Sequence, residues 1–279
     1  MISFSFEDPG SISVDSPFSI RVFKNVLSAE IYHSLQNEFP TPDESWRIEK
    51  EKNDNKTFIH SRQRQFDDAI RKSEIWSSLT TEIMSEKFQI SIGNMIYPIL
   101  LKYNKENKIS PAIRREVQSA LENRDTFLDF LVSRTHINLQ LSSLKRGEYN
   151  SPHTDDARKL ATLLAYFPYE DWRPEYGGET RFLRFRDGKI PDWFDPSMNR
   201  VPEEILNQEN PDLEVFFTSR YEPNSWSMFC KSIDSFHEVS EVKCPEHMNR
   251  RTMVMTLQMH RRESDEHWQR IKSHSAREN

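Results

Sequence analysis

Three residues, His153-Thr154-Asp155, carry the first hint of chemistry in this chain. Residues two apart on a strand share a face. His153 and Asp155 can therefore reach one metal ion while Thr154 points away. An imidazole nitrogen with a carboxylate oxygen suits a divalent metal, and two histidines plus one carboxylate with open positions suit non-haem Fe(II) and O2 chemistry. A chain with 9 His and 44 acidic residues can produce a lone triplet by chance, so its neighbours must carry the weight. The second histidine should lie far along the chain on another strand. His237, 82 residues beyond Asp155, opens such a strand after a short turn from Trp226–Phe229.

The elements around these residues read as β-structure. Gly147 sits in a turn before the triplet, and the apolar run Leu160–Phe167 after it reads as a buried strand. Gly177-Gly178-Glu179 turns the chain. Thr180–Phe185 then alternates polar and apolar residues. Fourteen residues past His237, Arg251 opens the run Thr252–Leu257. A buried Arg at a strand start needs an anion, and a bidentate carboxylate is its natural partner. Arg250 points to the opposite face. Arg251 leads the more apolar set Met253, Met255 and Leu257, so Arg251 is expected to point inward.

The set His153-Thr154-Asp155, Tyr166, Gly177-Gly178-Glu179, Phe236-His237-Glu238-Val239 and Arg251 resembles the Fe(II)- and 2-oxoglutarate-dependent oxygenases, in their prolyl-hydroxylase-like branch. The resemblance covers roughly residues 17–45 and 134–260, and its specificity lies in order and spacing together. It implies a mainly β fold with a helical buttress (α+β), a double-stranded β-helix or jelly roll with iron at one mouth. It implies His153, Asp155 and His237 as iron ligands and as the catalytic centre. It implies 2-oxoglutarate and O2 as cosubstrates, with Arg251 and Tyr166 holding the distal carboxylate and Thr162, on the same strand face, assisting. Many relatives carry a tyrosine near position 144, where this chain has Leu144, so the cosubstrate pocket differs in detail. The implied reaction is oxidative decarboxylation to succinate and CO2, coupled to hydroxylation of an unactivated C–H bond in a small molecule, amino acid or peptidyl residue. Related halogenases lack a carboxylate at the Asp155 position, which favours hydroxylation here. Desaturation, cyclisation or epimerisation can run on the same ligands.

Other readings stay open. A cupin-like or zinc-type metalloenzyme without 2-oxoglutarate could use the same triad, although a hydrolase has no need of a deep buried cation. A non-catalytic jelly-roll binding protein could retain the residues. Oxidative demethylation of nucleic acid runs against the charge balance. The chain has 279 residues, net charge −6 and a pI near 5.9, which argues against nucleic acid or anionic membrane held by bulk electrostatics. No apolar run is long enough to span a bilayer, and the first residues lack the pattern of a signal peptide. Cys230 and Cys244 read as small buried hydrophobes in a reducing cytosol. A cytoplasmic enzyme acting on a small molecule or peptide is expected, and oligomeric state is not legible.

One oxygenase domain is expected over 1–279. Residues 1–132 supply an N-terminal strand and helical buttress, 133–260 the jelly roll, and 261–279 a charged helical tail. Residues 17–27 read as a strand, and Ser28 caps a helix over 29–38. Residues 65–132 read mainly as helices, one beginning at Ser110-Pro111. On the strand 133–143, His136, Asn138 and Gln140 share a face that either lines the site or meets solvent. Residues 186–213 interrupt the strands as an insertion at the mouth, with Trp193 and Phe194 as candidate substrate contacts. His60, His247, His260, His267 and His274 read as satisfied or solvent-facing.

Overall fold

The computed structural model describes residues 2–7, 10–43, 46–51, 54–206 and 212–260. Strands β1 (Ile12–Val14) and β2 (Ile20–Lys24) lead into helix α1 (Ala29–Asn37). The Ser28 hydroxyl accepts from the Ile31 amide and so caps one of the open amides of the first turn. Strands β3 (Arg47–Glu51) and β4 (Asp54–His60) follow as a hairpin. Five helices come next: α2 (Arg64–Ile70), α3 (Glu74–Ile83), α4 (Glu86–Lys105), α5 (Arg114–Ala120) and α6 (Arg124–Arg134). Pro98 lies inside α4 on its exposed side. The helix expected from Ser110 begins only at Arg114, because residues 110–113 form a turn closed by the Ile113 amide on the Ser110 carbonyl.

Eight strands then build the barrel: β5 (Thr135–Leu144), β6 (Asn150–His153), β7 (Lys159–Tyr166), β8 (Thr180–Phe185), β9 (Leu213–Ser219), β10 (Ser225–Cys230), β11 (His237–Val239) and β12 (Arg250–Met259). A short helix, α7 (Glu203–Leu206), lies between β8 and β9. All pairings are antiparallel. One sheet runs β10-β7-β12-β5 and the other β6-β11-β8-β9. Strands one, eight, three and six of the eight thus form one wall, and two, seven, four and five the other. That alternation is the double-stranded β-helix. β1 and β2 extend the first wall beyond β10, and β4 joins the two walls by pairing with both β5 and β6.

The first wall has two faces, and they are covered differently. Met253, Met255 and Leu257 are buried in one continuous core with Trp76, Leu79, Ile96, Leu100, Phe127 and Leu131 of the helices. The helical buttress therefore covers the outer face of this wall. Tyr166 lies on the inner face, since its hydroxyl reaches Thr180 on the opposite wall. Register then places Thr252, opposite Tyr166, on the inner face, and with it Val254 and Thr256. The same register turns Gln140 and Asn138 inward, opposite Val254 and Thr256. The polar face of β5 therefore points into the barrel.

The insertion between β8 and β9 builds a small core of its own. Leu183, Phe185, Val201, Ile205, Leu213 and Phe236 cluster there, with Trp193 and Phe194 packed against them. The charged tail expected over 261–279 lies outside the described residues, as do His267 and His274.

Candidate metal centre

The barrel brings His153, Asp155 and His237 together. One ligand atom from each lies within 4.8 Å of the others, and the site is the single such group of three or more among the described residues. Two features of the chain make this happen. β6 and β11 are neighbours with His153 directly opposite His237, so their rings meet at 4.3 Å between centroids. Asp155 follows the end of β6, and Thr162 of β7 donates its hydroxyl to one carboxylate oxygen at 2.5 Å. Lys159 pairs with the other oxygen at 2.6 Å.

Backbone carbonyls orient both imidazoles. His153 Nδ1 lies 2.7 Å from the Ser151 carbonyl, and His237 Nδ1 lies 3.1 Å from the Ser235 carbonyl. A carbonyl can only accept, so each Nδ1 carries the proton and Nε2 is the basic nitrogen. Burial pushes the His237 pKa down, which keeps the ring neutral and able to ligate. Burial works to raise the pKa of Asp155, but Lys159, His237 and His153 override it and hold the carboxyl well below the usual range. Two neutral imidazoles and one carboxylate, buried and oriented, fit a six-coordinate divalent metal with positions to spare. Asp156 is turned away and held by both ends of the Arg158 guanidinium at 3.2 Å.

The insertion supports this corner directly. The Thr154 amide donates to the Asn199 carbonyl at 2.8 Å, and the Thr154 hydroxyl donates to the Met198 carbonyl. Residues 198–201 thus lie along the strand that carries His153. Trp193 and Phe194, the candidate substrate contacts, are half-buried and pack on Phe185 and Phe236, and the Trp193 indole donates to Asp212.

The two arginines fall the other way round from the sequence expectation. Arg251 lies on the helix side of its sheet. Its guanidinium donates to the carbonyls of Phe167 and Gln36 and stacks 3.9 Å from the Tyr169 ring centroid. Arg250 points into the barrel. It donates to the Gly178 carbonyl at 2.6 Å and to the hydroxyls of Thr252 and Thr180 at 2.7 and 3.3 Å, above the faces of Tyr166 and Tyr221. The expectation failed because it equated the apolar alternation with the barrel interior. In this chain the apolar face meets helices and the interior is polar. Arg250 is 3% exposed, and no carboxylate pairs with it among the described residues. Gly178 makes room for it: φ is +77°, and a Cβ there would stand 2.9 Å from Arg250 Cδ.

Tyr166 is fully buried, with its hydroxyl among those of Thr180, Ser219 and Ser227. Thr162 is not in this group, because its hydroxyl serves Asp155 four residues nearer the metal. Thr180, Ser219, Ser227 and Thr252 carry no signature of their own in the sequence. A buried hydroxyl at alternate strand positions was the available signal, readable only once the inward face is known. Leu144 is buried with Val242, Cys244 and Met248. Cys230 and Cys244 are both buried and unbridged. His247 is exposed, whereas His260 is half-buried and stacks on His136.

No family model matches the sequence, and no curated protein matches it. Solved structures do resemble the fold at low identity. A prolyl-4-hydroxylase from Pseudomonas putida is 12% identical with a TM-score of 0.45, over 88% of this chain and 95% of that one. A prolyl hydroxylase from Trichoplax adhaerens, in complex with a hypoxia-inducible-factor peptide, is 10% identical with a TM-score of 0.40, over 86% and 83%. The epimerase SnoN of nogalamycin biosynthesis, in complex with Fe3+ and α-ketoglutarate, is 11% identical with a TM-score of 0.45, over 86% and 78%. At these distances the chemistry must be argued from the chain's own residues. Among the described residues, no helix is long and apolar enough to cross a membrane.

Proposed function

We propose that this protein is a non-haem Fe(II)- and 2-oxoglutarate-dependent dioxygenase that oxidises an unactivated C–H bond, most simply as a hydroxylase. The observation that carries this reading is the order of groups along the inner face between the triad and Arg250. Paired positions run Thr162–Thr256, then Leu164–Val254, then Tyr166–Thr252 beneath Arg250. A polar end beside the metal ligands, an apolar middle and a cationic, hydroxyl-rich deep end match a 2-oxo dicarboxylate group by group. Four residues of strand, roughly 13 Å, separate Thr162 from Tyr166, with long side chains reaching inward from both ends.

Iron bound by His153, Asp155 and His237 would, with 2-oxoglutarate, activate O2 for C–H oxidation with release of succinate and CO2. The protein's own residues do the rest. Ser151 and Ser235 present Nε2 of each imidazole, and Thr162 and Lys159 hold the Asp155 carboxylate in place. Arg250 and the hydroxyls around Tyr166 receive the distal carboxylate, while Leu164 and Val254 exclude water from the methylene carbons. A zinc hydrolase would find no use for the buried Arg250. Substrates in this reading are small molecules, free amino acids or peptidyl residues.

The test is an anaerobic titration with Fe(II) and then 2-oxoglutarate, watched for the visible charge-transfer band of the chelate. The band should form in wild type and vanish in His153→Ala. Fe(II) binding without a band would refute the cosubstrate assignment.

A further inference from the structure

Lys231 follows directly after the last residue of β10, and its amide donates to the Leu160 carbonyl of β7. Strand alternation puts it on the face of Phe229, whose ring lies 4.5 Å from the His237 ring. Cys230, between them, turns to the helix side, buried in the core that also contains Tyr103. Lys231 therefore stands on the inner wall at the metal end of the barrel. Of the carboxylates whose charge acts on its ammonium, Asp155 acts most strongly, ahead of Asp234 and Asp156.

Its exposure is 5%. A buried ammonium is costly unless paired and hydrogen-bonded. Every acid near it is already engaged by another cation. Asp155 is held by Lys159 at 2.6 Å, Asp156 by Arg158 at 3.2 Å, and Asp234 by Lys108 at 3.2 Å. Among the described residues Lys231 Nζ has no hydrogen-bond or ion-pair partner. Burial accordingly pulls its pKa down to about 8. The fold thus maintains a buried cation with no direct partner of its own at the metal end, on the side of the triad opposite the depth where Arg250 lies.

We propose that Lys231 is the receptor for a carboxylate on the primary substrate, which makes that substrate a carboxylic acid such as a free amino acid or other small organic acid. This rests on the dioxygenase reading for the reaction, but not for the binding. One compact ammonium with three rotatable donors suits a single carboxylate. A phosphate dianion would want further cations or a fork of donors, and the neighbouring cations are spent on their own acids. An interior peptide residue brings no carboxylate of its own main chain to this position. Lys231 would act as a binding and positioning group, holding the acid end so that a carbon beyond it faces the metal.

The experiment compares acetate, propionate and benzoate with their carboxamides and with inorganic phosphate. Each is titrated into the Fe(II)- and 2-oxoglutarate-loaded protein, read by perturbation of the charge-transfer band, and into metal-free protein, read by saturation-transfer NMR. Wild type should prefer each acid to its amide by about tenfold or more, the loss expected for one charge-assisted contact. Lys231→Met and Lys231→Gln should abolish the preference, and Lys231→Arg should keep part of it. Circular dichroism and an unchanged band with 2-oxoglutarate alone show that the variants are folded and loaded. Equal binding of acid and amide, no binding of any probe at 50-fold excess over typical millimolar affinity, or preference for phosphate each overturns the proposal. A weakened band with 2-oxoglutarate alone in folded Lys231→Gln would also overturn it, by assigning Lys231 to the cosubstrate. If wild type forms no band yet prefers acids in the NMR arm, the dioxygenase reading falls and the carboxylate receptor stands.

Discussion

Exchanging the two adjacent arginines for methionine, one at a time, separates binding from folding at neighbouring positions. Arg250→Met removes the buried cation at the deep end of the barrel while roughly conserving volume. Under the proposed function its carboxylate partner would then enter the barrel without a counter-charge. Leaving one member of a buried pair alone costs about 3–5 kcal/mol, so 2-oxoglutarate should bind more than about 100-fold more weakly. Arg251→Met removes charged donors to the carbonyls of Phe167 and Gln36 and the stack on Tyr169. That loss is one of stability, about 2–4 kcal/mol, and 2-oxoglutarate affinity should stay within about twofold. Anaerobic titration of the charge-transfer band gives the affinities, and thermal unfolding gives the stabilities. Arg250→Met should also melt lower, since the Gly178 carbonyl loses its donor. The affinity measurement is therefore the one that discriminates. An affinity loss confined to Arg251→Met would refute the inward assignment of Arg250 and with it the reading of the polar interior as a cosubstrate cradle.

Asp155→Ala should abolish Fe(II)-dependent succinate formation and leave the far-ultraviolet circular dichroism intact; undiminished succinate would remove Asp155 from the ligand set. Phe236→Ala should destabilise by about 3–5 kcal/mol, because Phe236 is fully buried between Phe185, Trp193 and Phe194. Since that cluster backs the segment holding Thr154, Fe(II) affinity should fall as well, and unchanged affinity would mean the insertion does not support the site. His136 has its pKa pushed down to about 4 by burial, then by Arg62 and His260. The unfolded chain takes up this proton near 6.5 and the folded chain only near 4. Stability should therefore rise with pH between about 4 and 6.5 and be lost on acidification through that window. His136→Asn should flatten this part of the unfolding curve, and an unaltered slope would place the titration elsewhere.

Local chemistry already marks the metal centre in the chain. His153-Thr154-Asp155 supplies two donors two residues apart, although in the fold β6 ends at His153 and Asp155 is set by Thr162 and Lys159 rather than by the pleat, and His237 opens a short strand after a turn. The capped helix at Ser28, the helical spacing of Phe66, Ile70, Trp76, Leu79 and Ile83, and the alternating strands from Thr135 onward follow from the same local rules. The direction of a strand's two faces does not. Alternation at Arg250 and Arg251 says only that the pair point opposite ways. Which one enters the barrel depends on what covers each face, and the helices claim the apolar one. The role of Thr162, the hydroxyl group around Tyr166 and the packing of Trp193 depend likewise on partners supplied by other elements of the fold. Lys231 reads in sequence as one charge among 38 basic residues. Only the folded chain, by pairing Asp155, Asp156 and Asp234 with other cations, leaves it buried and without an ion pair of its own. Sequence determined which donors exist and how they alternate, because those are properties of neighbouring residues. Tertiary structure decided which face is inside and which charges are already satisfied, because burial and pairing belong to the whole fold.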